Sequence, residues 1–341
     1  MTSGVDADFD AYYSSISSRL YVIFGSTLTV IGTISAILSC IVFGQNSLRQ
    51  NPGSIYLIAF NAANLLVILL TLLPVVIANI TNIDASLYNV LFCKIEFYLR
   101  LVCPILSRHY LVLASIDRVL VTSSNTLTRQ RSTHRLAYWS IAGVTFITVV
   151  FCSHLLVGVN IIQLYPGFNF CHYEAGNYMS FAVYSNLIIT GIEPCLLLSM
   201  FAILTLKNLH RIHVRPVNTT VTVMNTHRSK DRTLTIIFLS EIMSFIISTL
   251  PVVTMEIYQQ ITQYQIKDAR REVIERFLMY VTFLLTFVHP ATSFYLNLTV
   301  SKAFHHNTIQ LFYKGGRYDI IHGSQSQNPR AITIAVRPIK Q

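Results

Sequence analysis

Charge is what this sequence has least of. Only 12% of its 341 residues are Asp, Glu, Lys or Arg, against about 25% in a soluble domain. A hydrophobic share of 52% excludes an ordinary water-soluble globule. No HExxH or other paired metal motif occurs, nor a nucleophile–base arrangement, nor a glycine-rich phosphate loop. The expectation is therefore no enzyme, no metal and no cofactor. His210, His213, His305 and His306 read more simply as solvated surface than as ligands. There is no long linker, low-complexity run or internal repeat. The opening MTSGVDADFDAYYSSISSR is acidic and serine-rich rather than a secretory signal, so the first apolar helix is expected to act as its own insertion signal.

What the chain does have is long apolar runs. A helix needs about 20 mostly apolar residues to cross the hydrocarbon, and backbone groups in lipid must satisfy one another. Seven stretches qualify: 21–43, 54–78, 92–120, 136–159, 179–206, 233–258 and 273–299. The fold expected is all-α, a seven-transmembrane helix bundle over 21–299. An N-terminal arm of residues 1–20 precedes it. Residues 300–314 follow as an amphipathic helix lying on the membrane, with Ala303, Phe304, Ile309, Leu311 and Phe312 along much of one face. Residues 315–341, rich in Gly, Ser, Gln and Asn, are expected to be a disordered cytoplasmic tail.

The basic residues are sorted by side. Segments 44–53, 118–135, 207–232 and 300–341 hold 17 of the 25 Lys and Arg, and the opposite set holds five. The positive-inside rule then puts the N-terminus outside and the C-terminus in the cytoplasm, in a multi-pass plasma-membrane protein. Topology explains the basic balance, so no nucleic-acid partner is expected; membrane lipid is. Cys40, Cys103, Cys152 and Cys195 fall within spans. Cys93 and Cys171 fall on the outer side, where a disulfide is chemically permitted.

The landmarks along these spans come in an order. Arg118 follows Cys93 by 25 residues within LVLASIDRVLVT, Trp139 is on the fourth span, Pro194 on the fifth, FIISTLP (245–251) on the sixth and HPATSFY (289–295) on the seventh. Together they resemble a divergent rhodopsin-like (class A) G-protein-coupled receptor, of the kind seen among invertebrate neuropeptide receptors. The resemblance implies a Cys93–Cys171 disulfide and an Asp117-Arg118-Val119 motif at the inner end of the third helix. It further implies a latch of Asp117, Arg118 and Asp231 that holds the sixth helix closed. A heterotrimeric G protein, and arrestin, would be the cytoplasmic partners.

Several of that family's parts are altered. Thr249, preceded by Ser248, replaces the sixth-helix tryptophan. Ala202 replaces the fifth-helix tyrosine, and His289 replaces the asparagine before Pro290. Ser293 stands at the tyrosine position, with Tyr295 two residues late. Ala36 and Asn64 replace an asparagine and an aspartate, so a sodium site is expected to be weak although Ser107 remains. Phe283 occupies the position where an opsin carries its retinal lysine.

Charges within the spans need partners, because each costs roughly 2.5–3.5 kcal/mol at the bilayer centre. Arg108 and Glu193 lie at similar depths; the resemblance places Arg108 in the hydrophobic connector it shares with Pro194 and Phe245, and keeps Pro251 in the sixth helix. A pair of Arg108 with Glu193 or Glu241 is expected. The competing reading has Arg108 bonded to backbone and both acids protonated. Glu96 and Arg100, four residues apart, favour an intrahelical pair. With His172, Asn186, Glu256 and Glu275 they give the outer vestibule both signs of charge. A peptide has both signs too, which favours a short neuropeptide as ligand. The competing functions are a proton- or ion-coupled transporter and a seven-helix receptor that does not signal.

Overall fold

The computed structural model describes residues 4–165, 168–173, 176–213, 222–302 and 304–311. The side chains of residues 4–7, 46–47, 164–165, 168–170, 211–213 and 222–233 lie outside that description. Six rods are long and apolar enough to cross a membrane: α1 (Asp8–Phe43), α2 (Pro52–Thr81), α4 (His134–Gly158), α5 (Asn177–His210), Leu234–Thr262 and α7 (Ala269–Val300). The fifth of these is part of α6 (Thr222–Thr262). The remaining long rod, α3 (Val90–Val121), carries six charged residues. It can afford them because it is the inner post of the bundle, packed against α2, α4, α5 and α6. Polar groups on such a helix face protein rather than lipid.

The first helix begins earlier than its apolar run. The arm continues α1 back through residues 8–20, and Arg276 of α7 reaches Asp10 at 3.5 Å. Prolines shape the rods. A proline has no N–H to close an α turn, and wide π turns at Ile68–Leu72 and Leu187–Ile192 end two residues before Pro74 and Pro194. Pro104 and Pro251 lie inside α3 and α6. α7 breaks at Thr286–Phe287, just before the buried His289 and Pro290.

The lipid-facing surface is apolar: Trp139, Phe146 and Ile147 on α4 are each more than 60% exposed. Between α4 and α5 lies an antiparallel hairpin, β1 (Val159–Tyr165) and β2 (Phe168–Tyr173), with Ile161 opposite Cys171. Beyond α7 a short helix, α8 (304–311), docks on the bundle. Phe304, 1% exposed, packs against Phe43 at 5.0 Å and Phe294 at 5.7 Å, and Gln45 donates to the Asn307 carbonyl at 3.3 Å. The expected amphipathic segment is thus anchored by its aromatic face. The tail 315–341 lies outside the described residues.

Candidate functional site

Towards its two ends α3 carries different chemistry, at Cys93 and at Arg118, about 37 Å apart at 1.5 Å per residue. At one end, Cys93 is bonded to Cys171, 78 positions away in sequence, and ties β2 to the start of α3. Asn89 caps this helix start, its side chain accepting from the Leu91 amide at 2.8 Å. Phe97, one turn on, sits edge-on to Tyr173 at 4.9 Å and near His172 at 6.4 Å. Burial pushes the Tyr173 hydroxyl up to about 12 and holds the His172 imidazole below its usual range.

Glu96 and Arg100 form the intrahelical pair, at 2.5 Å. Asn186 on α5 is occupied locally, accepting from the Thr190 hydroxyl at 3.3 Å. Glu275 is the centre of a clamp between α6 and α7. It takes Lys267 at 2.5 Å, Arg271 at 2.8 Å and the Tyr258 hydroxyl at 2.7 Å, while Arg271 also donates to Tyr258 at 2.6 Å. A hollow of ≈ 360 Å³ opens beside it, lined by Gln259, Gln263, Lys267, Arg276 and Tyr280. The vestibule candidates therefore fall into two groups, Glu96–Arg100 with His172 near α3 and Glu275 at the α6–α7 rim. Sequence pattern gave no hint of Tyr258, Lys267 or Arg271, because their meeting depends on the turn between the two helices.

At the other end of α3, Arg118 is 1% exposed. It is ion-paired with its neighbour Asp117, and its Nη2 also donates to Asn51 Oδ1 at 3.1 Å. Phe238 of α6 lies under the guanidinium at 5.2 Å, a cation–π contact. Asp117 in turn accepts from Ser132 at 2.5 Å. Asn51 has a second duty as the cap of α2, accepting from the Gly53 amide at 3.0 Å. A Cβ at Gly53 would collide with the Arg118 guanidinium and crowd Asp117, so glycine is what admits the charge between α2 and α3. Asp231 lies on α6, and its side chain is outside the described residues. Asn51, Gly53, Phe238 and Ser132 were not anticipated. The run Asn51-Pro52-Gly53 was legible only as a helix start, an Asn cap with proline at the first turn.

Between the ends is a buried polar core. Glu241, 0% exposed, accepts from Ser293 at 2.5 Å and from Asn297 Nδ2 at 2.7 Å, with His289 Nδ1 at 3.7 Å from its other oxygen. His289 packs between Phe60 and Phe245, each 5.7 Å away. Ser107 donates to Asn64 Oδ1 at 2.5 Å. The expected pairing of Arg108 with Glu193 or Glu241 is corrected here. Glu193 meets His109 instead, at 3.5 Å. Successive residues on a helix diverge by about 100°; His109 faces α5, while Arg108 turns inward over Phe245 at 5.9 Å. The carboxylate whose field reaches Arg108 most strongly is Glu256. Tyr295 is also corrected as a core member. It is 39% exposed beside Phe294, because two residues turn it about 200° from the buried Ser293.

Among the described residues, seven long helices with a lipid-compatible outside, a charged and aromatic inside and a disulfide-tethered hairpin over one end define a multi-pass seven-helix membrane protein. A family model for the seven-transmembrane receptors (rhodopsin family) matches residues 35–292, and the chain belongs to that family. As such it is a signalling receptor and not an enzyme. A comparison with curated proteins finds no match.

Proposed function

We propose that this receptor binds an extracellular ligand, a short neuropeptide by preference, at the hairpin end of the bundle. Binding drives outward movement of α6, which activates a heterotrimeric G protein at the Arg118 end. The observation that carries the proposal is the enclosure of Arg118. Its guanidinium is held by Asp117 on its own helix, Asn51 at the head of α2 and the Phe238 ring of α6. Only the last of these contacts involves α6. Swinging α6 away removes the ring, uncovers the arginine and opens a groove for a helix of the G protein. On the ligand side, the Glu96–Arg100 pair and the clamp of Glu275 with Lys267 and Arg271 present both signs of charge, suiting a ligand with a carboxylate and an amine. Tyr258, shared by Glu275 and Arg271, gives such a ligand a lever on the outer part of α6.

The geometry at Gly53 supplies the test. Gly53→Val would drive a side chain into the Arg118 guanidinium and loosen its hold on Asn51. Agonist-independent guanine-nucleotide exchange in membranes carrying the variant is expected to rise several-fold over wild type. Asp117→Asn, which removes the ion pair without adding bulk, is expected to raise it in the same direction. Basal exchange at the wild-type level in both variants, with normal surface expression, would refute the latch. A wild-type receptor that binds peptide yet drives no exchange would instead favour the non-signalling reading, toward which Ala202, Thr249 and Ser293 lean.

A further inference from the structure

The middle of the bundle encloses a cavity of ≈ 70 Å³, and the polar residues on its wall are Asn64, Thr71, Arg100, Ser107, Arg108 and His289, together with Thr249 and Thr286. No carboxylate lines it. Its hydrogen-bonding capacity is biased toward donors. The Asn64 oxygen is committed to Ser107, which leaves the amide Nδ2 buried without a partner. The Thr71 hydroxyl, 2% exposed, is also unpartnered, as is the Nε2 of His289, whose Nδ1 faces Glu241 at 3.7 Å. In either tautomer one of those nitrogens carries a proton. Arg100 is neutralised by Glu96 at 2.5 Å. Arg108 is not: among the described residues no carboxylate makes an ion pair with it, its ring neighbour is Phe245, and Glu256 acts on it only through space.

A guanidinium in this position carries a surplus positive charge into a low-dielectric interior, where an unpaired ion is strongly unfavourable. Unmet donors beside it add to the cost. One small anion would relieve both. On this measure about 10–15 Å³ suffices for one water molecule, so ≈ 70 Å³ has room for a halide ion and a water. A bare halide accepts from any direction, which matches donors arriving from α2, α3 and α7.

We infer that this cavity is a binding site for a small inorganic anion, chloride being the physiological candidate, and that the bound ion stabilises the receptor. The site is separate from the Arg118 latch and does not depend on the identity of the ligand that activates the receptor. Asn64 is the selectivity element. A carboxylate there would offset the charge of Arg108 and leave nothing for an anion to compensate.

The test uses the full-length receptor in phospholipid nanodiscs, with thermal unfolding followed at constant ionic strength. Exchanging sodium gluconate for sodium chloride or sodium bromide is expected to raise Tm by several degrees, by mass action on the native state. Choline chloride is expected to act like sodium chloride. Arg108→Gln is expected to abolish the anion response, and Asn64→Asp to abolish it as well, by supplying Arg108 with a carboxylate of its own. Equal Tm in gluconate and chloride, or an undiminished response in Arg108→Gln, overturns the site. A response to acetate without one to chloride also overturns it, and makes the cavity a seat for a carboxylate of an organic ligand. Should Arg108→Gln fail to fold, Thr71→Val keeps the arginine and removes one donor. It is then expected to shift the chloride midpoint upward several-fold, and an unmoved midpoint counts against the proposal.

Discussion

Replacing Glu241 by Leu is expected to be among the most damaging single changes in the bundle. The carboxylate is completely buried and serves donors from α7, Ser293 at 2.5 Å and Asn297 at 2.7 Å, with His289 close by. Leucine accepts nothing, so two buried donors on α7 lose their acceptor. Each unsatisfied group costs about 1–3 kcal/mol, so the loss expected is about 2–6 kcal/mol. Thermal unfolding of purified receptor is the measurement. The control is Glu241→Gln, whose amide oxygen can still accept from Ser293 and Asn297. If glutamine keeps most of the stability, the residue acts as a hydrogen-bond hub. A glutamine variant as unstable as the leucine one would mean that the negative charge, facing His289, is what the core requires. The same comparison bears on function, since these bonds hold α6 to α7 one turn from Phe238, on the same face of α6.

The second large effect is expected at the disulfide. Cys93 and Cys171 close a loop of 78 residues containing the rest of α3, all of α4 and β1. In the chain-entropy view such a cross-link stabilises a soluble protein by about 4–5 kcal/mol. Here the bilayer already confines α3 and α4, so the loss on Cys171→Ser is expected nearer about 2 kcal/mol, at the low end of what removing a native disulfide costs. Binding is expected to suffer more than stability, because the bond fixes β2 over the start of α3 and with it the contacts of Phe97 with His172 and Tyr173. The measurement is radioligand or labelled-peptide binding beside Tm for the same variant. A variant that keeps its affinity would show that the hairpin contributes no wall to the ligand site.

The places where expectation and structure part share one feature. Arg108 was expected opposite Glu193 on the basis of equal depth along two helices. Depth follows from counting residues at 1.5 Å each, and the depths do agree. Which way each helix is rotated about its axis does not follow from counting, and one residue of rotation gave Glu193 to His109 and turned Arg108 to the cavity. The Arg118 site parted in the same way. That an arginine beside an aspartate closes the third helix is legible in LVLASIDRVLVT. That its further holders are Asn51 and Phe238, with Gly53 making room, depends on how closely α2 and α6 approach α3. Asn297 is a sharper case: in the sequence Asn297-Leu298-Thr299 reads only as a formal glycosylation sequon, and in the fold Asn297 is completely buried against Glu241.

The amino-acid order alone was enough for the number of helices, for the apolar exterior and for the two ends where charge collects. A bilayer leaves little choice there: apolar length and internal backbone bonding suffice, and both are local properties of the chain. Partnerships among the few polar residues were left to the packed bundle. Van der Waals contact between rods fixes their rotation and spacing, and in a membrane those contacts, rather than hydrophobic burial, decide how helices fit together. So the sequence stated that Arg108, Glu241 and Arg118 must each be satisfied, and only the tertiary structure decided by whom.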